Sequence, residues 1–167
     1  MNKTIYFIIG TILLLLMAIM LSIFNQDSDS EIITDVVYTD LNVTFKSSGG
    51  SNIVADNFLK NSTVKADEQN PDFYELGNTF PTEQSSASLP NYVVIFDKVT
   101  GTFGITLLQE PFNKSRLEAE VYLKSLLKID ENELCKLSYT VAVPGYVDQN
   151  ASGQDYRFSF CPDAVKL

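Results

Sequence analysis

The sequence predicts an α+β chain: an N-terminal transmembrane helix, a flexible stalk, then a small antiparallel sheet with one packed helix in the order ββαββ. Three observations predict it. Residues 5–24 hold no charged side chain. Residues 92–96, 103–108, 137–143 and 156–160 bunch β-branched and aromatic side chains or alternate them with polar ones, as strands do. Between the second and third of these runs, Ala119, Tyr122, Leu123, Leu126 and Leu127 form one apolar stripe at helical spacing.

The first element rests on length. Twenty residues at about 1.5 Å rise span roughly 30 Å, the thickness of a bilayer's hydrocarbon core. Lys3 is the only charge before the run, and Asp27, Asp29 and Glu31 come after it. That asymmetry predicts a cytoplasmic stub over residues 1–4 and an extracytoplasmic remainder. A cleaved signal peptide would have a shorter apolar core and small residues at its end. Here bulky residues close the run, at Leu21, Ile23 and Phe24. The expectation is an uncleaved, single-pass signal anchor in the cell membrane, with residues 5–24 in contact with the lipid bilayer.

Charge divides the rest of the chain. The 167 residues carry a net charge of −9. Residues 25–90 hold three lysines against eleven acids, a balance of −8, while residues 91–167 hold eight basic and ten acidic residues, a balance of −2. Such a surface offers no clustered Lys and Arg for phosphate, so no nucleic acid is expected as a partner. Histidine is absent and cysteine occurs only at 135 and 161. The commonest general base, the Ser-His-Asp and Cys-His arrangements and the four-ligand Cys/His zinc site are all excluded.

Residues 25–90 read as an acidic membrane-proximal region and linker. Within it Leu41, Val43 and Phe45 alternate with Asn42 and Thr44 like a half-buried strand, and Ser47 to Ser51 break it. Residues 56–60 fit a helical turn or a second short strand equally well. Apolar residues thin out from 61 to 90, and Pro71, Pro81 and Pro90 punctuate a mobile connector whose Phe73, Tyr74 and Phe80 are its few aromatics.

Residues 91–167 read as the extracytoplasmic α+β domain. Residues 92–96 and 103–108 predict a hairpin turned through 97–102. Asn113 is the expected N-cap of a helix running to about Lys128, with Glu120 and Lys124 paired on its wet side. Asp130 and Glu133 have capping-box spacing for one short turn. Strands at 137–143 and 156–160 complete a two-layer sandwich.

Two constellations stand out. In an exported domain Cys135 and Cys161 form a structural disulfide, since adjacent strands would bring them together. Closing that loop is worth roughly 3.5 kcal/mol by chain entropy. Asp148, Asn150, Ser152 and Gly153 copy the opening of a calcium loop, with Asp155 as a further carboxylate, but position 12 is Ser159, where the bidentate Glu belongs. A polar hairpin loop accounts for the same residues. No cofactor is expected, and calcium is the alternative. Glu118, Glu120, Glu131 and Glu133 read as solvated helix residues and not as an acid/base set. Four triplets beginning at Asn42, Asn61, Asn113 and Asn150 fit the N-glycan acceptor pattern, a match that arises by chance in an Asn- and Ser-rich chain and matters only in a eukaryotic source.

An apolar N-terminal helix before a two-cysteine domain superficially resembles a type IV pilin. The residues after Gly10 do not fit, since Thr11 stands where the mature chain begins with Phe and Leu15 where it carries Glu. The pattern Glu110-Pro111-Phe112, Arg116, Ala119-Glu120, Leu134-Cys135-Lys136-Leu137 and Ser159-Phe160-Cys161-Pro162 is similar to uncharacterised membrane-anchored extracytoplasmic proteins of small-genome bacteria. That resemblance covers the C-terminal half and implies no activity. The expected role is a non-enzymatic protein-binding or assembly component of the cell envelope, with another envelope protein as partner and Tyr146 and Tyr156 as candidate exposed contacts. The alternative is an envelope-anchored ligand- or calcium-binding protein, or an enzyme using carboxylates.

Overall fold

A computed structural model of the chain describes residues 33–47, 50–78 and 89–167. The expected anchor at 5–24 and the acidic residues just after it lie outside the described residues. Among the described residues no helix is long and apolar enough to cross a membrane.

Three strands, β1 (Ile33–Tyr38), β2 (Asn42–Ser47) and β3 (Asn52–Asp56), form an antiparallel meander. The alternation at 42–45 is what builds it: Val43 and Phe45 turn into the core while Lys46 faces water. Asn57 ties the far end, its side-chain amide donating to the Thr39 carbonyl at 2.6 Å. The ambiguous stretch after β3 resolves as a single 3₁₀ turn (Phe58–Lys60) that buries Phe58.

The second sheet has five strands: β4 (Val64–Ala66), β5 (Phe73–Leu76), β6 (Tyr92–Asp97), β7 (Thr102–Leu107) and β8 (Tyr139–Ala142), in that spatial order. The helices α1 (Phe112–Leu127) and α2 (Glu131–Lys136) connect β7 to β8. Among the described residues the α+β class and the single main helix agree with expectation; the order ββαββ does not.

Three differences have physical reasons. Residues 64–76, expected in the linker on composition, supply two strands. β4 is held by backbone pairing to β5 and β5 by pairing to β6, and the two strands are short runs separated by the polar residues 67–72, which set the composition of the stretch. Asp67 shapes the tight turn between them by accepting from the Gln69 and Asn70 amides. Next, β8 pairs with β7 in parallel, because two helices carry the chain back to the start of the sheet. Finally, residues 156–160 form no strand. Arg157 has φ of 55°, in the left-handed region, and side chains replace the ladder: the Asp155 carboxylate accepts from the Val141 amide at 2.9 Å.

The meander and the 3₁₀ turn cover one face of the five-stranded sheet. Phe45 and Phe58 meet Phe96 and Phe103, with ring centroids 5.0 Å apart for Phe58–Phe96 and 4.7 Å for Phe96–Phe103. Truncating any of these fully buried rings is expected to cost about 3–5 kcal/mol. Gly101 lets the layers close: its φ is 68°, and a Cβ there would collide with Val36 Cγ2. The helix covers the other half of the face through Ala119, Leu123, Leu126 and Leu127.

Candidate functional site

The helix α1 begins one turn after β7, at a cis Glu110–Pro111 bond. Pro111, not Asn113, occupies its N-cap position, and no side chain caps it. Asn113 instead lies in the first turn, where its Oδ1 accepts from the Lys114 amide. Proline suits this place because it has no N–H to leave unpaired. The capping box of α2 forms as expected, with Asp130 Oδ1 accepting from the Glu133 amide at 2.8 Å and Glu133 Oε2 from the Asp130 amide at 3.1 Å.

Beside α1 lies an open groove of about 700 Å³, lined by Asn78, Tyr92, Lys114, Leu117, Glu118, Val121, Tyr122 and Ser125. Two of its walls are exposed apolar side chains: Leu117 is 50% exposed and Val121 is 70% exposed. Its floor is a tyrosine pair, Tyr92 and Tyr122, with centroids 6.2 Å apart. Burial pushes the Tyr92 phenol up to about 12, helped by Tyr122 and by the negative Glu118, so it stays a neutral donor. The buried Tyr122 hydroxyl has no hydrogen-bond partner among the described residues. Tyr122 reaches this position only because residue 77 is glycine, where a Cβ would lie 2.6 Å from its ring. Glu118 accepts from Asn91 Nδ2 at 2.6 Å and sits 3.8 Å from Lys114. The groove's chemistry is an apolar strip edged with hydroxyl, amide and charge, which suits recognition.

The polar centre of the domain lies on the opposite side of α1. Glu120, expected on the wet face, is only 4% exposed, and its partner is not Lys124. Its carboxylate accepts from both the amide and the hydroxyl of Ser159, and Arg116 Nε lies 3.8 Å away. Arg116 donates to the carbonyls of Tyr156 and Val165. Lys124 pairs with Glu131 instead, at 2.7 Å. The C-terminal segment forms no strand beside β8, so helix side chains satisfy part of its backbone. The signal was present in the sequence: Arg116 and Glu120 precede Leu123 and Leu127 on the apolar stripe, spaced i and i+4, as a buried pair would be.

Cys135 and Cys161 are joined in a disulfide with Cα atoms 5.6 Å apart. The strand pairing expected to align them is not what does so, since Cys135 lies in α2 and Cys161 in the irregular tail. Tyr139 supports the bridge. Its hydroxyl donates to Cys161 Sγ, Phe158 stacks on its ring at 4.1 Å, and the Arg157 guanidinium lies 3.9 Å from the ring centroid.

The Asp148 turn holds its residues for other work. Asp148 Oδ1 accepts from the Asn150 amide, Ser152 Oγ donates to the Gln149 carbonyl, and Asp155 serves β8 and the Arg157 amide. Among the described residues no group of three or more His, Cys, Asp or Glu is placed to hold a metal ion. Tyr146 is exposed, as expected of a contact residue. Tyr156 is not; it is buried with its hydroxyl donated to the Ala151 carbonyl.

Two sheets over one aromatic core, a groove on the helix and a disulfide-held tail define an α+β domain. No known family, curated protein or solved structure matches the chain.

Proposed function

We propose that this is a single-pass membrane protein, anchored by residues 5–24, that presents its folded region outside the cytoplasm as a non-enzymatic binding or assembly component of the cell envelope. The observation that carries the reading is the Cys135–Cys161 disulfide downstream of an uncharged twenty-residue run. Structural disulfides persist in oxidising compartments, and a run of that length suits a bilayer. The contact surface is the α1 groove. Exposed Leu117 and Val121 beside polar Asn78, Lys114 and Glu118 make an apolar centre with a polar rim, the usual layout of a protein-binding patch. A ligand- or calcium-binding role at the Asp148 turn has less support, since Asp155 is already engaged by two backbone amides.

Two measurements test this. Protease added to intact cells is expected to digest the polypeptide beyond residue 25, and protection until lysis would refute the topology. A photo-crosslinker at Val121 is expected to capture an envelope protein that the same probe at exposed Thr140, on the sheet's far edge, does not. Equal capture from both positions would refute the groove as the contact surface.

A further inference from the structure

We infer that the α1 groove takes a proline-rich peptide in the polyproline conformation; the inference rests on the reading of that groove as the contact surface and names what it holds. Two observations carry it, the ring pair on the floor and the state of the polar groups around it. Tyr92 and Tyr122 lie 6.2 Å apart and are tilted by 45°, so together they offer a stepped aromatic surface. Leu117 and Val121, one turn apart on α1, wall it with exposed aliphatic carbon. Pyrrolidine rings are apolar and stiff and pack on aromatic-lined grooves, and a chain already held in polyproline form loses little entropy on docking.

The polar groups select the backbone. Glu118 is the one lining side chain that can only accept, and it is already engaged: one oxygen accepts from Asn91 at 2.6 Å and the other lies 3.8 Å from Lys114 Nζ. Every other polar side chain lining the groove can donate. Among the described residues Asn78 and Tyr92 make no side-chain hydrogen bond, and the Lys114 ammonium has only its long contact to Glu118. A ligand matching this set brings free carbonyls and few N–H groups that need an acceptor. An α-helix does not, because its carbonyls are spent on its own backbone. A strand carries an N–H for every carbonyl, and this groove runs along a helix and not along a sheet edge. A proline-rich chain has no internal hydrogen bonds, so its carbonyls stay open, and each proline removes an N–H.

The test titrates fluorophore-labelled decaproline with the full-length chain in lipid nanodiscs and reads anisotropy, beside a glycine–serine peptide and an amphipathic helical peptide of the same length. Decaproline is expected to bind saturably and both controls to stay free. Val121→Arg and Leu117→Arg put charge into the groove at exposed positions, and each is expected to weaken binding by about tenfold or more. Tyr92→Phe keeps the ring, removes the donor and is expected to weaken binding by a smaller factor. Thr140→Arg, at an exposed site that does not line the groove, is expected to change nothing. Denaturant melts report folding, so if one groove variant unfolds the other decides. Decaproline that stays free at millimolar concentration, binds no better than the glycine–serine peptide, or binds both arginine variants as well as the parent overturns the inference. Helical peptide bound in its place and released by Val121→Arg also overturns it. If decaproline stays free while the Val121 crosslinker still captures an envelope protein, the inference falls alone; if both fail, the contact-surface reading falls with it.

Discussion

Replacing Glu120 with alanine is the sharpest probe of how this domain holds its C-terminal tail. The substitution removes two hydrogen bonds from Ser159 to a charged acceptor and leaves Arg116, 7% exposed, without its counter-charge. Hydrogen bonds to a charged group are worth about 1.5–3 kcal/mol each, and breaking a buried ion pair on one side costs about 3–5 kcal/mol. The two figures describe overlapping losses, so the expected total is about 4 kcal/mol and not their sum. With a urea dependence of about 2 kcal/mol per molar, the unfolding midpoint of residues 31–167 falls by about 2 M. Glu120→Gln keeps one acceptor oxygen and is expected to lose about half as much. Arg116→Ala combined with Glu120→Ala is expected to cost less than the two single losses added. An exposed control, Asp40→Ala, which breaks the surface pair with Lys60, is expected to shift the midpoint only slightly, since surface pairs contribute little to stability. A Glu120→Ala midpoint within about 0.5 M of the parent would mean that Glu120 is solvated and does not hold the tail.

Reducing the Cys135–Cys161 bond, which closes a separation of 26 residues, is expected to lower stability by about 3.5 kcal/mol; a midpoint indifferent to reductant would refute its structural role. Gly77→Ala combines a φ of 80° with a 2.6 Å approach to the Tyr122 ring and is expected to cost about 2–4 kcal/mol, whereas Gly50→Ala, with φ of 83° and open space, is expected to cost only about 1 kcal/mol. Equal losses in denaturant melts would show that Tyr122 does not pack on residue 77. Tyr92 has its phenol pushed up to about 12 in the folded chain, against 10.0 for an ordinary tyrosine. Below 10.0 both states are protonated and the burial advantage is whole; as pH rises from 10.0 through 12 the unfolded chain releases its proton first and stability falls. Tyr38 is pushed up by burial to about 12 as well, so Tyr92→Phe is expected to reduce that alkaline slope and not abolish it, and an unchanged slope in melts across this window would place the titration elsewhere.

The β6–β7 hairpin and α1 were legible because each carries a period that only one structure satisfies. Phe103, Ile105 and Leu107 alternate, and Ala119, Leu123, Leu126 and Leu127 recur at helical spacing, so side-chain burial and sequence pattern coincide. The strands β4 and β5 were illegible for the opposite reason. Val64–Ala66 has no buried residue and Phe73–Leu76 has one, so their place in the sheet comes from backbone pairing of β4 to β5 and of β5 to β6, the latter a long-range event with little local trace. The aromatic core shows the same limit. Phe45 and Phe58 each read as a short local feature, and nothing in either segment tells that it meets Phe96 and Phe103, far along the chain.

In the tail, alternation does not mean a strand and charge does not mean water. Tyr156, Phe158 and Phe160 do alternate, yet a sixth strand beside β8 would expose a new edge at the end of the sheet. The observed arrangement closes that edge instead. Asp155 takes the Val141 amide, the Tyr156 amide donates to the Val141 carbonyl, and Arg157 donates to the Tyr139 carbonyl at 3.1 Å. Holding side chains in those places requires the turned backbone at Arg157, and a left-handed residue persists only where its surroundings over-determine it. Asp163, at 2.8 Å from Arg157 Nε, together with the Tyr139 ring, Glu120, Arg116 and the disulfide, supplies that excess. Half-buried Asp155 and Arg157 are therefore the means by which an irregular segment blocks a sheet edge, and the buried Arg116–Glu120 pair, which holds that segment's backbone, sits where the apolar stripe of α1 would otherwise carry leucine.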